Sequence, residues 1–452
     1  MNRFLPLVFL LILMSCHREE PVIDFTPSTA HNNRVPLIWN QLYLEVERFT
    51  PGYKPPVSAR NLAYINLSAY EAVVQGSEFK YRSLSSHFPG LETVEIDPDI
   101  EYNWSVCAHA AYAKAFELFF PTAPSQQQFQ MLDVNHDLQS ELEIGLDPVI
   151  FQASYEYGQK VAQAVYEWSM TDAWGHAGYL RNNDPGYFPP TGEGLWKPTY
   201  PDFTPALLPH WGKVRTFAAL QEDVVSPPPV FDLSPTSQLS QEARMTYDWV
   251  NRIQAGQDEE SYWIAEFWSD DCPILTFSPA GRWISITNQV LAAERMDLME
   301  TIVTYAKVSL ALGDAGITCW REKYRYNCLR PVDFIHNYMN DPGWNTVMCP
   351  DGSGGYYTPN FPTYPSGHAT FSGAAATVLA NIFGQDYQFT DRSHEGRTEF
   401  RSKPRTFGSF QAMAKENALS RVPLGVHFLV DSEAGLDLGH RVGSRVLSLP
   451  WK

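Results

Sequence analysis

Apolar residues recur at helical spacing along this chain, over stretches too long for strands. Between Val57 and Val74, the residues Leu62, Ile65, Ala69, Ala72 and Val73 fall on one face, while Leu67 and Tyr70 fill another. A segment apolar nearly all round belongs inside a core. Asp147-Pro148 supplies an N-cap and a first-turn proline for a second helix. Its stripe runs Ile150, Ala153, Tyr157, Val161, Ala164, Val165 and Trp168. A third run extends from Trp283 to Gly313 through Ile286, Val290, Leu298, Ile302 and Ala306. No sustained period-two alternation bounded by turn residues interrupts them. The expected fold is all-α, a large helical bundle. The chain has 452 residues, 44% of them apolar, enough for one large core or two.

Long irregular stretches separate the helical runs. Thr171 to Pro209 and Asp341 to Tyr364 are rich in Gly, Pro and aromatic residues, a composition that suits ordered walls. A third stretch, Gly384 to Gly408, carries many charges. The chain divides into an N-terminal helical half, about residues 31–235, and a second half, about 236–452, that holds the chemistry.

That chemistry lies in three short segments. Lys323 precedes Arg330-Pro331 by seven residues. Pro365-Ser366-Gly367-His368 follows. Ser420-Arg421 then leads to His427 and Asp431. The net charge is −18, from 33 basic and 51 acidic residues. That argues against nucleic acid and anionic membrane surfaces as partners and makes three clustered cations conspicuous. Any one of them alone reads as a surface ion-pair partner. Together the segments spell an oxyanion cradle. Lys323 and Arg330, two helical turns apart, are expected on one helix face, with Pro331 ending that helix. They offer a point charge and a planar fork. Pro365 suits a helix start, so the Ser366 and Gly367 amides would point at an anion. His368 stands at the rim as acid or base. Pro423 suits another helix start, and His427 and Asp431, four apart, are expected to share a face. The carboxylate then holds the proton on Nδ1 and leaves Nε2 free.

These segments resemble the signature of the vanadium-dependent haloperoxidases and of the related type-2 phosphatidic-acid phosphatases and bacterial acid phosphatases. Finer features resemble the haloperoxidase branch, in its bacterial, iodoperoxidase-like form. Trp320 stands three residues before Lys323. Phe361-Pro362-Thr363-Tyr364 is similar to the run before the Pro-Ser-Gly-His of chloroperoxidases. Glu266 to Asp271 is similar to a haloperoxidase segment whose carboxylate, matching Asp271, braces an active-site arginine. The resemblance implies vanadate bonded to His427 Nε2, with Lys323, Arg330, Ser366, Gly367 and Arg421 on its oxygens and His368 beside it. It implies hydrogen peroxide and halide as substrates, and an organic acceptor as an optional third partner. Phe361 stands where algal bromoperoxidases have histidine, and iodide gives up electrons most readily, so iodide is expected first and bromide second. The alternative within the same superfamily is a phosphomonoesterase in which His427 attacks phosphorus and His368 protonates the leaving alcohol.

Arg3 and the apolar Leu5 to Met14 read as an export signal, too short to span a membrane. Leu13-Met14-Ser15-Cys16 resembles a bacterial lipobox. The expectation is a signal peptide over residues 1–15, a lipidated Cys16, a tether over 17–30 and an outer-membrane location, with no membrane contact beyond the lipid. Five cysteines remain, an odd number, so at least one thiol is unpaired within the chain.

Overall fold

The computed structural model describes residues 26–270, 272, 275–350, 355–399 and 401–452. The signal peptide, Cys16 and most of the tether lie outside these residues, as does Asp271. Thirteen α-helices are present among them. In the first half these are α1 (Arg34–Phe49), α2 (Pro55–Val73), α3 (Trp104–Phe119), α4 (Ser125–Glu143) and α5 (Pro148–Met170). The second half contains α6 (Gln238–Gln254), α7 (Glu259–Phe267), α8 (Pro279–Glu294), α9 (Leu298–Tyr326), α10 (Pro331–Tyr338), α11 (Gly367–Phe383), α12 (Phe410–Ser420) and α13 (Leu429–Leu447). No helix of the described residues is long and apolar enough to cross a membrane.

The buried helix expected around Val57 is α2, which lies along α9 and carries the first half onto the second. One cluster of buried apolar side chains runs from Val35 to Trp451 across both halves. Asp147 caps α5 as expected, accepting the Val149 amide at 2.7 Å. The single run expected from Trp283 to Gly313 is instead two helices. Arg295 adopts a left-handed φ of 51°, and Asp297 opens α9 by accepting the Glu300 amide at 2.8 Å. A strong local cap thus overrides an unbroken apolar stripe. The charged stretch before Gly408 contains a two-stranded antiparallel ribbon, β1 (Phe389–Asp391) and β2 (Arg405–Phe407), with Phe389 opposite Phe407.

The last two long helices meet backbone to backbone. A Cβ at Gly435 or Gly439 would sit 2.6 Å or 2.3 Å from the carbonyls of Ser366 and Thr370, so glycine alone lets α13 lie on α11. This contact brings the second and third segments together.

Glu47 of α1 gives the fold a pH dependence. It is buried and accepts the Ser278 amide at 3.2 Å. Burial pushes its carboxyl up to about 7, against an ordinary 4.5. The folded state therefore holds this proton more tightly than the unfolded chain does. Stability from Glu47 is complete below pH 4.5 and falls as pH rises towards 7, by about 3 kcal/mol at most. Glu47→Gln is expected to flatten the melting temperature against pH over this window. An unchanged slope would remove Glu47 as its source.

Candidate active site

Lys323, on the last turn of α9, is fully buried. Arg330 does not share its helix face. The helix ends at Tyr326, and Asn327 turns the chain in a left-handed conformation, φ 50°. Trp196 from the long loop fixes that turn: its amide donates to the Asn327 carbonyl at 2.7 Å, and Asn327 Nδ2 donates to the Trp196 carbonyl at 3.1 Å. Arg330 is extended at the N-cap of α10, and Pro331 begins that helix rather than ending α9. The two cations still converge, through the segment Phe361 to Thr363. Lys323 Nζ donates to the carbonyls of Pro362 and Thr363, each at 2.9 Å. Arg330 Nε donates to the Phe361 carbonyl at 2.9 Å and Nη1 to that of Val426 at 2.7 Å. The Phe361 ring lies 5.0 Å from Lys323 Nζ and 4.8 Å from Arg330 Cζ. Trp320 packs on Phe361 with centroids 4.9 Å apart.

The helix start at Pro365 comes two residues later than expected. Ser366 is the N-cap of α11, and its amide donates to the Asp431 carbonyl at 2.8 Å instead of facing an anion. The Ser366 hydroxyl accepts the Ala369 amide at 3.5 Å. Gly367 is the first helical residue, so its amide lies at the helix N-terminus. A Cβ there would meet Trp320 at 3.5 Å, ordinary contact, so protein packing does not demand glycine. The Trp320 ring lies over this position, at the helix start. His368 is buried beside it. Burial, then Arg421, Arg282 and Lys323, hold its imidazole well below its usual range, so it is neutral and a proton acceptor at neutral pH.

His427 and Asp431 meet, though not across helical turns. Residues 421–426 form turns, with Pro423 among them, and α13 starts at Leu429. Asp431 sits at its third position. One oxygen, Oδ2, accepts the Phe428 amide at 3.0 Å, lies 3.0 Å from His427 Nδ1 and accepts the Thr363 hydroxyl at 2.5 Å. Nothing in the spacing of the sequence gives Thr363 a role. It ties the Phe361 segment, which holds both cations, to the imidazole. With Nδ1 engaged by the carboxylate, Nε2 carries the lone pair. Burial and the three cations depress the His427 pKa well below its usual range. Arg421 ends α12 with Nη1 on the Trp268 carbonyl at 3.0 Å and Nη2 against Met348 Sδ at 3.5 Å.

Two features had no counterpart in the sequence reading. Arg282, fully buried on α8, bonds Asp270 through Nη2 at 2.8 Å and Asp391 through Nη1 at 3.1 Å, and it contacts His394 and the Phe267 carbonyl. This network holds the turn that presents Trp268 to Arg421. The one sequence clue was an arginine inside an apolar stripe. The second feature is a pair of thiols at the cradle. Cys319 Sγ lies 3.7 Å from the Pro365 carbonyl, and the Cys328 carbonyl accepts the Thr363 amide at 3.0 Å. Elsewhere Cys272 and Cys349 form a disulfide.

The cradle is short of negative charge. Burial, reinforced by Arg330, pushes the Lys323 ammonium down to about 7. Among the described residues no group of three His, Cys, Asp or Glu side chains is placed to hold a bare metal cation. The arrangement suits an oxyanion. In comparison with known proteins, the family description "VCPO second helical-bundle domain" matches residues 303–449, which contain all three segments. A solved bacterial vanadium-dependent iodoperoxidase superimposes with a TM-score of 0.78 at 30% identity, covering 91% of this chain and 95% of that one. The chain belongs to the vanadium-dependent haloperoxidases. The haloperoxidase is also 23% identical to the vanadium chloroperoxidase of Curvularia inaequalis over 514 aligned positions, 92% of this chain and 82% of that protein. A shorter match, 36% over 99 residues, links it to the vanadium-dependent bromoperoxidase of Ascophyllum nodosum, covering 20% of this chain and 18% of that protein.

Proposed function

We propose that this haloperoxidase holds vanadate(V) in the cradle, at His427 Nε2, and oxidises iodide in preference to bromide with hydrogen peroxide. The observation that carries this reading is a neutral His427, oriented by Asp431 and Thr363, buried among Lys323, Arg330 and Arg421. The donor set fits an oxyanion: two planar forks, an ammonium, the Ser366 hydroxyl and the Gly367 amide at a helix N-terminus. When bound, vanadate supplies Lewis acidity that activates peroxide without changing its own oxidation state. Lys323 restores its proton affinity beside the anion and polarises an oxygen there. His368, neutral beside the cations, would take the proton that hydrogen peroxide gives up and pass it to the hydroxide or hypohalite oxygen that leaves as water or hypohalous acid. Trp320 and Phe361 wall the approach and exclude water. The iodide preference is supported by the likeness to an iodoperoxidase and by the ease of iodide oxidation.

The test is to reconstitute with vanadate and follow iodide, bromide and chloride oxidation side by side. Iodide is expected to react fastest, then bromide. Robust phosphomonoester hydrolysis with no halide oxidation would replace this reading with the phosphatase one. Arg330→Lys is expected to lower kcat/KM for iodide about 10- to 100-fold, because a point charge cannot hold the Phe361 and Val426 carbonyls and an anion together. Retention of the full rate would show that the fork is dispensable.

We also infer export with lipidation at Cys16, and a functional division near residue 235. The Cys272–Cys349 disulfide supports an oxidising compartment. A mature protein without diacylglycerol on residue 16 would overturn the lipid anchor.

A further inference from the structure

A cavity of about 310 Å³ lies in the aromatic loop, apart from the cradle, walled by Trp174, Pro185, Leu208 and Trp211 with Asp184 and His210 among them. His210 Nε2 lies 2.9 Å from Asp184 Oδ2. The imidazole packs between two rings, Trp174 at 5.6 Å and Tyr187 at 5.9 Å. Trp174 is 46% exposed, and Lys213 Nζ stands 4.3 Å from its ring centre. Mostly apolar walls around one convergent polar pair are the ordinary build of a small-molecule site. The walls suit an aromatic ring. The His–carboxylate pair suits a weakly acidic hydroxyl, since the carboxylate holds a proton on Nε2 and leaves Nδ1 to accept another.

The backbone behind the cavity wall is bonded to residues that flank the cradle. Leu208 follows Leu207, whose carbonyl accepts Trp320 Nε1 at 3.3 Å and the Tyr324 hydroxyl at 2.6 Å. The Leu207 amide donates to the Asn360 carbonyl at 2.9 Å, one residue before Phe361. Tyr187 touches both His210 and Tyr324, the latter with centroids 5.5 Å apart. A neutral oxidant leaving the cradle has this cavity as a near neighbour.

We propose that the cavity binds a phenol as the organic acceptor of the oxidised halogen, with His210, oriented by Asp184, taking up the phenolic proton. The proposal rests on halide oxidation at the cradle, which supplies hypohalous acid. As the phenolic O–H proton moves to His210 Nδ1, the oxygen lone pair enriches the ring. A ring carbon takes the halogen from hypohalous acid. The halogen–oxygen bond breaks with its electron pair on oxygen, which takes a proton and leaves as water. The displaced ring proton goes to solvent and His210 returns its proton to the phenolate. The sum is phenol plus hypohalous acid giving halophenol plus water.

The probe is p-cresol. Saturation-transfer NMR without halide or peroxide is expected to show saturable binding, weakened about 10-fold in His210→Gln and in Trp174→Ala, the second being a half-exposed residue whose loss spares the core. With vanadate, peroxide and iodide, the ratio of iodocresol to triiodide should saturate with cresol and fall about 10-fold in both variants. No saturable binding, or binding and product ratio equal to wild type in both folded variants, would overturn the proposal. Absence of triiodide in the wild type would count against the cradle reading alone, because cresol binding is measured independently of it.

Discussion

Replacing His427 with alanine is expected to lower vanadate-dependent iodide oxidation by about 10³-fold or more, equivalent to about 4 kcal/mol of transition-state stabilisation. The other cradle donors remain, so anion affinity should fall without vanishing. The imidazole is neutral among three cations, and its Nδ1 is committed to Asp431 Oδ2. Both arginines are donors only, and of the two neutral imidazoles at the cradle His427 is the one whose Nδ1 faces a carboxylate. Folding should suffer modestly, by about 1–2 kcal/mol, because Asp431 keeps the Thr363 hydroxyl and the Phe428 amide. Steady-state rates and vanadate titration by calorimetry, run on the same folded sample, check both parts. A variant with wild-type rate and wild-type vanadate affinity would exclude His427 as the ligand.

Arg282→Ala is expected to destabilise the protein by about 3–5 kcal/mol, because it strands two fully buried carboxylates, Asp270 and Asp391. Denaturant unfolding measures this directly. The consequence reaches the cradle as well. Arg282 holds the Phe267 carbonyl and Asp270, which flank Trp268, and the Trp268 carbonyl fixes Arg421. Protein that remains folded should therefore bind vanadate more weakly. A midpoint within about 0.5 kcal/mol of wild type would mean that the two carboxylates find protons or other partners without difficulty.

The sequence was most informative where one residue type has one physical use. The apolar stripe of α2 and the cap at Asp147 are local and appeared as read. The structure also brings Lys323, Arg330, Arg421 and His427 close together, the juxtaposition that three cations and an imidazole with a carboxylate suggested. Geometry was less legible. The spacing of Lys323 and Arg330 suggested one helix face, but a left-handed Asn327 pinned by Trp196, more than a hundred residues earlier, breaks the helix between them. The Ser366 amide was expected to face an anion, and a long-range bond to the Asp431 carbonyl takes it. The one apolar run after Trp283 concealed a break at Arg295. In each case a distant or capping hydrogen bond, invisible to periodicity, decided the backbone. Thr363 was missed because a hydroxyl that joins two segments has no spacing signature at all.

Cys319 and Cys328 stand within a residue of the peptide groups that hold the cradle. Hypohalous acid, the product proposed above, would form beside this sulfur. Reactivity towards such oxidants belongs to the thiolate. The dry surroundings that starve the cradle of negative charge also disfavour thiolates: burial raises the Cys319 thiol and pushes Cys328 up to about 12. Both stay protonated at the pH of turnover. The water-poor pocket that concentrates positive charge thus doubles as protection for the two thiols beside it, and their survival depends on keeping that pocket dry.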